Sequence, residues 1–183
     1  MSQASILGTL NGLRKENHLV DVYVEAEGVR FPAHRVVLTA SSDFCKTYFL
    51  GIWSKQMENK AVIEFRIGNG KASTLSAMLD FAYGHDFEGP ELRNFNNIEE
   101  KADNLDGMLD LLICTDAWGM LRLQNQVEDY LTKPEHAVIY RRADNVEAIM
   151  EIAISANATR LVEDCEAYIQ HNKEGMKIMR SSS

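Results

Sequence analysis

A chain of 183 residues with 45% hydrophobic and 25% charged content has the balance of one ordinary globular domain with an appendage, which excludes global disorder and any need for disulfide staples. Its 27 acidic and 19 basic side chains give a formal charge of −8, which works against a phosphate-binding surface and therefore against direct nucleic-acid binding. Three cysteines (Cys45, Cys114, Cys165) without close spacing, no basic-then-apolar N-terminus and no membrane-length apolar run place the expected setting in the cytoplasm or nucleus, with no membrane partner.

Ile6, Leu10 and Leu13 repeat at near-helical spacing and predict a short amphipathic helix over residues 5–16. Val20, Val22, Val24 and Ala26 then alternate with Asp21, Tyr23, Glu25 and Glu27, the period of a half-buried strand. Glu27-Gly28 supplies a turn, Val29 and Phe31 continue on one face, and the segment reads as a hairpin ended by Pro32. Val36, Val37 and Leu38 form an apolar helical block, and Ser41-Ser42-Asp43 is positioned to cap a second helix carrying Phe44, Tyr48 and Phe49.

Residues 51–60 read as a polar loop and residues 61–65 as a short β-rich run. Gly68-Asn69-Gly70-Lys71-Ala72-Ser73 lacks the spacing of a phosphate loop and is read as a turn into a helix. That helix presents Leu75, Met78, Leu79, Ala82 and Tyr83 as a buried stripe. Residues 86–107, rich in Gly, Pro, Asn and acids, read as an inserted loop. Two helices follow, from Leu109 to Trp118 and from Met120 to Leu131, joined at Gly119. Lys133-Pro134 marks a boundary; beyond it come helices over residues 145–153 and from Asn157 onward, where an Asn or Thr oxygen is placed to cap the last one. The expected organisation is a domain over 1–133, a helical pair over 134–172 and a frayed tail over 173–183.

Asp21-Val22, Phe31-Pro32-Ala33-His34-Arg35-x-Val37-Leu38-x-Ala40-x-Ser42-x-Phe44 and Tyr48-Phe49 closely resemble the opening of a BTB/POZ domain. The likeness continues in Val62-Ile63-Glu64-Phe65, Leu79-Asp80-Phe81-Ala82-Tyr83-Gly84, Thr115-Asp116-Ala117-Trp118-Gly119-Met120 and Glu128-Asp129-Tyr130-Leu131. It implies an α+β fold, a small mixed sheet flanked by a helical cluster and followed by an α-helical hairpin. It also implies an interaction module: a homodimer whose interface would hold Ile6, Leu10, Leu13, Asp21 and Arg35, the last two as a charged pair at the dimer groove.

Adaptors of this family recruit a cullin-based ubiquitin ligase through a loop that carries a hydrophobic residue, any residue, then Glu, with a following helical pair that widens the contact. The candidates here are Gln56-Met57-Glu58, with a polar Gln in the hydrophobic place, and Met57-Glu58-Asn59, with Asn where Glu belongs; Tyr83 is assigned to the same contact. Weak binding through this loop is the expectation. A scaffold or transcriptional-corepressor module without a cullin is the alternative. No kelch repeat or zinc finger is present, so the sequence reads as a fragment or a minimal member, with substrate choice left to another region or a partner. The five scattered histidines show no zinc spacing, and no cofactor or metal is expected. A thiol-dependent enzyme built on Cys45 and His34 is the distant alternative.

Overall fold

The computed structural model describes residues 6–51, 63–66, 70–89, 98–141 and 145–181, with the backbone alone for 63–66, 98–103 and 174–181. The chain divides into two compact units, residues 1–88 with 114–123 and residues 89–113 with 124–183.

In the first unit, α1 (Ile6–Lys15) is followed by β1 (Val22–Ala26), β2 (Val29–Ala33), α2 (Arg35–Ser41), α3 (Asp43–Leu50), β3 (Ile63–Arg66) and α4 (Ala72–Ala82). β1 is the middle strand, antiparallel to β2 and parallel to β3. The alternation along β1 is realised as burial: Val22 and Val24 are wholly inside, and the residues between them are half-buried. Glu27 and Gly28 both take positive φ, 50° and 76°, the geometry that lets a two-residue turn match the strand twist. The Glu27 carboxylate also accepts the Ala72 amide at 2.8 Å and so caps α4.

Pro32 does not end the hairpin. It pairs with Tyr23 inside β2, and because β2 is the sheet edge the missing N–H breaks no ladder on the outer side.

Ser42 separates α2 from α3. Its hydroxyl accepts the Cys45 amide at 3.0 Å and donates to the Trp118 carbonyl at 2.6 Å. Gly119, at φ 61°, closes the preceding helix in the left-handed turn that glycine favours. The Thr115 carbonyl accepts the Met120 amide at 2.8 Å there.

The second unit holds most of α5 (Ile98–Ala117), most of α6 (Leu121–Leu131), the short α7 (Pro134–Ala137), and the hairpin of α8 (Val146–Ser155) and α9 (Thr159–Ser181). One expectation changes. Residues 98–107 are not loop: the helix expected from Leu109 begins at Ile98, because Leu105 and Leu109 continue a buried stripe at i, i+4. The last helix, α9, also continues past 173, to Ser181.

Among the described residues the start of α9 is capped from another helix. The buried Glu128 of α6 accepts the Arg160 and Leu161 amides at 2.9 and 3.3 Å, and Gln124 donates to the Ala156 carbonyl at 2.6 Å. A second clasp joins Asp164 of α9 to the segment after α7. Tyr140 donates to its carboxylate at 2.7 Å, and Arg141 binds both its oxygens.

Burial alone would raise the Asp164 pKa, but the Arg141 and Tyr140 hydrogen bonds outweigh it and hold the carboxyl below its ordinary 3.8. The folded pKa is the lower one, so the clasp's contribution is complete above about pH 4 and is lost as pH falls toward the folded value. Asp164→Asn keeps the shape and removes the charge. We expect it to cost about 1–3 kcal/mol at pH 7 in urea denaturation, and to flatten the loss of stability that the parent shows below pH 4. An unchanged acid limb in the variant would place that loss elsewhere.

Candidate interaction surface

α1 carries two stripes. Ile6, Leu10 and Leu13 lie on one, and Leu7, Asn11 and Arg14 on another, roughly 100° round the helix. The chain buries the two polar members of the second, Asn11 and Arg14, and leaves Leu7 39% exposed. Asn11 and Arg14 are 4% and 5% exposed, whereas Ile6 is 81% exposed. Leu10 and Leu13 are half-buried.

The inward face is polar, and its groups are matched one by one. Arg14 Nε donates to Asn11 Oδ1 and Arg14 Nη2 to Asp80 Oδ1, each at 2.9 Å. The guanidinium lies 4.9 Å from the centre of the Tyr83 ring, a cation over an aromatic face. Asn11 Nδ2 meets His85 Nε2 at 2.8 Å. Leu7 packs on Gly84, where a Cβ would stand 3.1 Å from the leucine Cβ at a φ of 87°. The helix is thereby fixed to the end of α4, with Ile6 left outside.

Tyr83, expected beside a cullin, is wholly buried and offers no side-chain surface to a partner. Its hydroxyl accepts the His34 amide at 2.9 Å and lies 2.9 Å from His34 Nδ1. His34 Nε2 faces the His18 carbonyl at 3.1 Å. A carbonyl only accepts, so Nε2 carries the proton; in the neutral ring Nδ1 then accepts from the tyrosine hydroxyl. Burial pushes the Tyr83 pKa up and keeps the phenol protonated, although the His34 amide and Arg14 oppose the shift.

Asp21 and Arg35 do come together. Asp21 Oδ1 accepts the Arg35 amide at 2.8 Å, Arg35 Nε donates to the Asp21 carbonyl at 3.1 Å, and the two charges are 3.8 Å apart. Asp21 thus caps α2, whose own N-cap residue, His34, makes no side-chain cap bond. The Asp21 side chain is 45% exposed, so the ion pair adds under ~1 kcal/mol and the cap about 1 kcal/mol. The larger cost of a buried pair does not apply.

Gln56, Met57 and Glu58 lie outside the described residues. The proposed thiol–imidazole pair does not form: both His34 ring nitrogens are engaged, and burial pushes the Cys45 pKa to about 11 despite the Ser42 hydrogen bond. The residues that sequence reasoning missed are Asn11, Arg14, Asp80 and His85. The only signal for them was the placing of Asn11 and Arg14 three apart on a helix beside its apolar stripe.

Comparison with known proteins gives one family. The model described as BTB/POZ domain matches residues 10–135. Zinc finger and BTB domain-containing protein 7A of Gallus gallus is 39% identical over 80 residues, 44% of this chain and 14% of the relative. Kelch-like protein 2 of Rattus norvegicus is 36% identical over 74 residues, 40% of this chain and 12% of the relative. Kelch-like protein 3 of Homo sapiens is 34% identical over 82 residues, 45% and 13% respectively. The match therefore spans only a small part of each relative. Among solved structures, the BTB domain of zebrafish PATZ1 has a TM-score of 0.52 at 21% identity, covering 70% of this chain and 89% of that one. The BTB domain of human Gigaxonin has 0.51 at 16%, with the same coverage. Both share the fold.

Tyr83→Phe removes the hydroxyl that serves His34 twice and leaves the buried His34 amide without its acceptor. We expect a loss of about 1–3 kcal/mol in denaturant unfolding, with near-native far-UV circular dichroism. A loss under ~0.5 kcal/mol would show that the hydroxyl is not the junction of this network.

Proposed function

The chain belongs to the BTB/POZ domain family, and on that premise we propose that this protein–protein interaction module is a dimerising adaptor that brings a cullin-based ubiquitin ligase to a partner protein. The observation that carries the association is the outward apolar edge of α1. Ile6 is 81% exposed on a helix whose other face is held by Arg14 and Asn11, so a twofold copy can cover it without disturbing the monomer. Leu10, Leu13, Asp21 and Arg35 belong to the same proposed interface.

For the cullin, the resemblance assigns the loop around Gln56, Met57 and Glu58, with the α8–α9 hairpin widening the contact. A polar Gln56 in the anchor place weakens that contact, because a buried amide without partners is costly. The second reading is a scaffold or corepressor module without a cullin. It is favoured by the burial of Tyr83, which removes one of the four expected contact residues. The relatives carry zinc-finger and kelch names, and this chain matches 14% and 12% of their lengths. Among the described residues no helix is long and apolar enough to cross a membrane.

Two measurements test the reading. In sedimentation velocity at tens of micromolar, the parent is expected as a dimer and Ile6→Asp as folded monomer, since a buried charge at a twofold interface occurs twice; a monomeric parent overturns the dimer. In calorimetry with the N-terminal region of the third cullin, modest binding should strengthen roughly tenfold or more in Gln56→Leu, the worth of an added apolar anchor. No heat with either protein moves the assignment to the scaffold reading.

A further inference from the structure

We propose that His85 is a proton-sensitive latch on α1. The argument rests on the direction of two hydrogen bonds. Arg14 Nε, a donor at 2.9 Å, takes Asn11 Oδ1, and this fixes the Asn11 amide so that its NH2 group faces His85 Nε2 at 2.8 Å. An amide nitrogen only donates, so Nε2 must present a lone pair and the His85 proton must sit on Nδ1. Protonation of Nε2 sets donor against donor. The amide cannot turn over to help, because Arg14 would then lose its acceptor, and Arg14 is held in place by Asp80 at 2.9 Å and by the Tyr83 ring at 4.9 Å.

The charged and titratable groups around this contact are Arg14 of α1, Asp80 and Tyr83 of α4 and its end, and Asp86 next in the chain. Arg14 opposes an added positive charge. Asp80 favours one, but it is already paired with Arg14. Asn11 is 4% exposed, so its NH2 group has little water to turn to once the imidazole is charged, whereas His85 is exposed. A charged His85 therefore gives up its bond to Asn11 and leaves the docked α1 one hydrogen bond short. Where His85 takes up the second proton, α1 loosens roughly five- to tenfold, the worth of one hydrogen bond to a buried group. Any effect on association rests on the reading of α1 as the dimer edge; the latch itself does not.

The test is hydrogen exchange of the full chain at pH 8.0 and 5.5, with the protection of the α1 amides taken relative to α4, and nitrogen-15 spectra of the His85 ring. The parent should show the Nδ1–H tautomer at pH 8.0 and lose five- to tenfold of α1 protection at pH 5.5. His85→Gln retains an acceptor that does not titrate and should show no change with pH. Asn11→Asp offers a carboxylate to both Arg14 and a charged His85, and should reverse the trend, a result that a purely structural role for Asn11 does not give. A pH-independent parent, a fall that persists in His85→Gln, or an Nε2–H ring at pH 8.0 overturns the proposal. Sedimentation at the same two pH values separates the readings: monomer throughout, with the exchange result intact, keeps the latch and removes the dimer.

Discussion

The hydroxyl of Tyr83 is the group on which the arrangement of the first unit depends. Wholly buried, it must find partners within the fold. It finds both in one residue, accepting the His34 amide and meeting His34 Nδ1, each at 2.9 Å. His34 stands at the junction of β2 and α2 and is tied in turn to the His18 carbonyl after α1. The face of the same ring carries the Arg14 guanidinium. One side chain thus joins the hairpin, α1, α2 and the end of α4. Such a network fixes a single arrangement, because a half-satisfied version would leave buried donors without acceptors.

This polar junction explains why α1 buries Asn11 and Arg14 and leaves Ile6 outside. An amphipathic helix ordinarily buries its apolar stripe and exposes the polar one. Here Arg14 and Asn11 have specific partners within the chain, and Ile6 has none of comparable specificity. An exposed leucine or isoleucine standing singly is common. An apolar edge on a helix whose polar side is buried is a different matter, since the burial of Arg14 is tolerable only with its hydrogen bonds in place. The association reading draws its physical support from that contrast.

The second unit uses the same device in another place. Glu128, 4% exposed, supplies the carboxylate that the amides at the start of α9 require, and Asp164 gathers Tyr140 and Arg141. The helical hairpin is held by directional bonds as well as by the apolar contacts of Leu161 and Cys165, both wholly buried. Burial pushes the Cys165 pKa to about 11, with the Asp164 charge adding to the rise, so the thiol stays protonated.

The sequence by itself determined the elements whose signal is periodic or local. The alternation from Val20 to Ala26 fixed β1, Glu27-Gly28 its turn, Ser42 the cap of α3 and Gly119 the end of α5, because each follows from side-chain spacing or from the backbone freedom of one residue. The run from Phe31 to Phe44 carried the family. Where composition stood in for periodicity, the reading failed: the acids of residues 98–107 masked the start of a helix whose buried stripe runs through Leu105, Leu109 and Leu112. The polar partners were beyond sequence altogether. The helical stripe placed Tyr83 inside, as it is, but nothing local says that His34, 49 positions away, supplies both its hydrogen bonds. Asn11 finds His85 across 74 positions and Arg14 finds Asp80 across 66. Tertiary structure alone decided those pairings, since a hydrogen-bond donor specifies the kind of partner it needs while only the fold brings a particular acceptor within 3 Å.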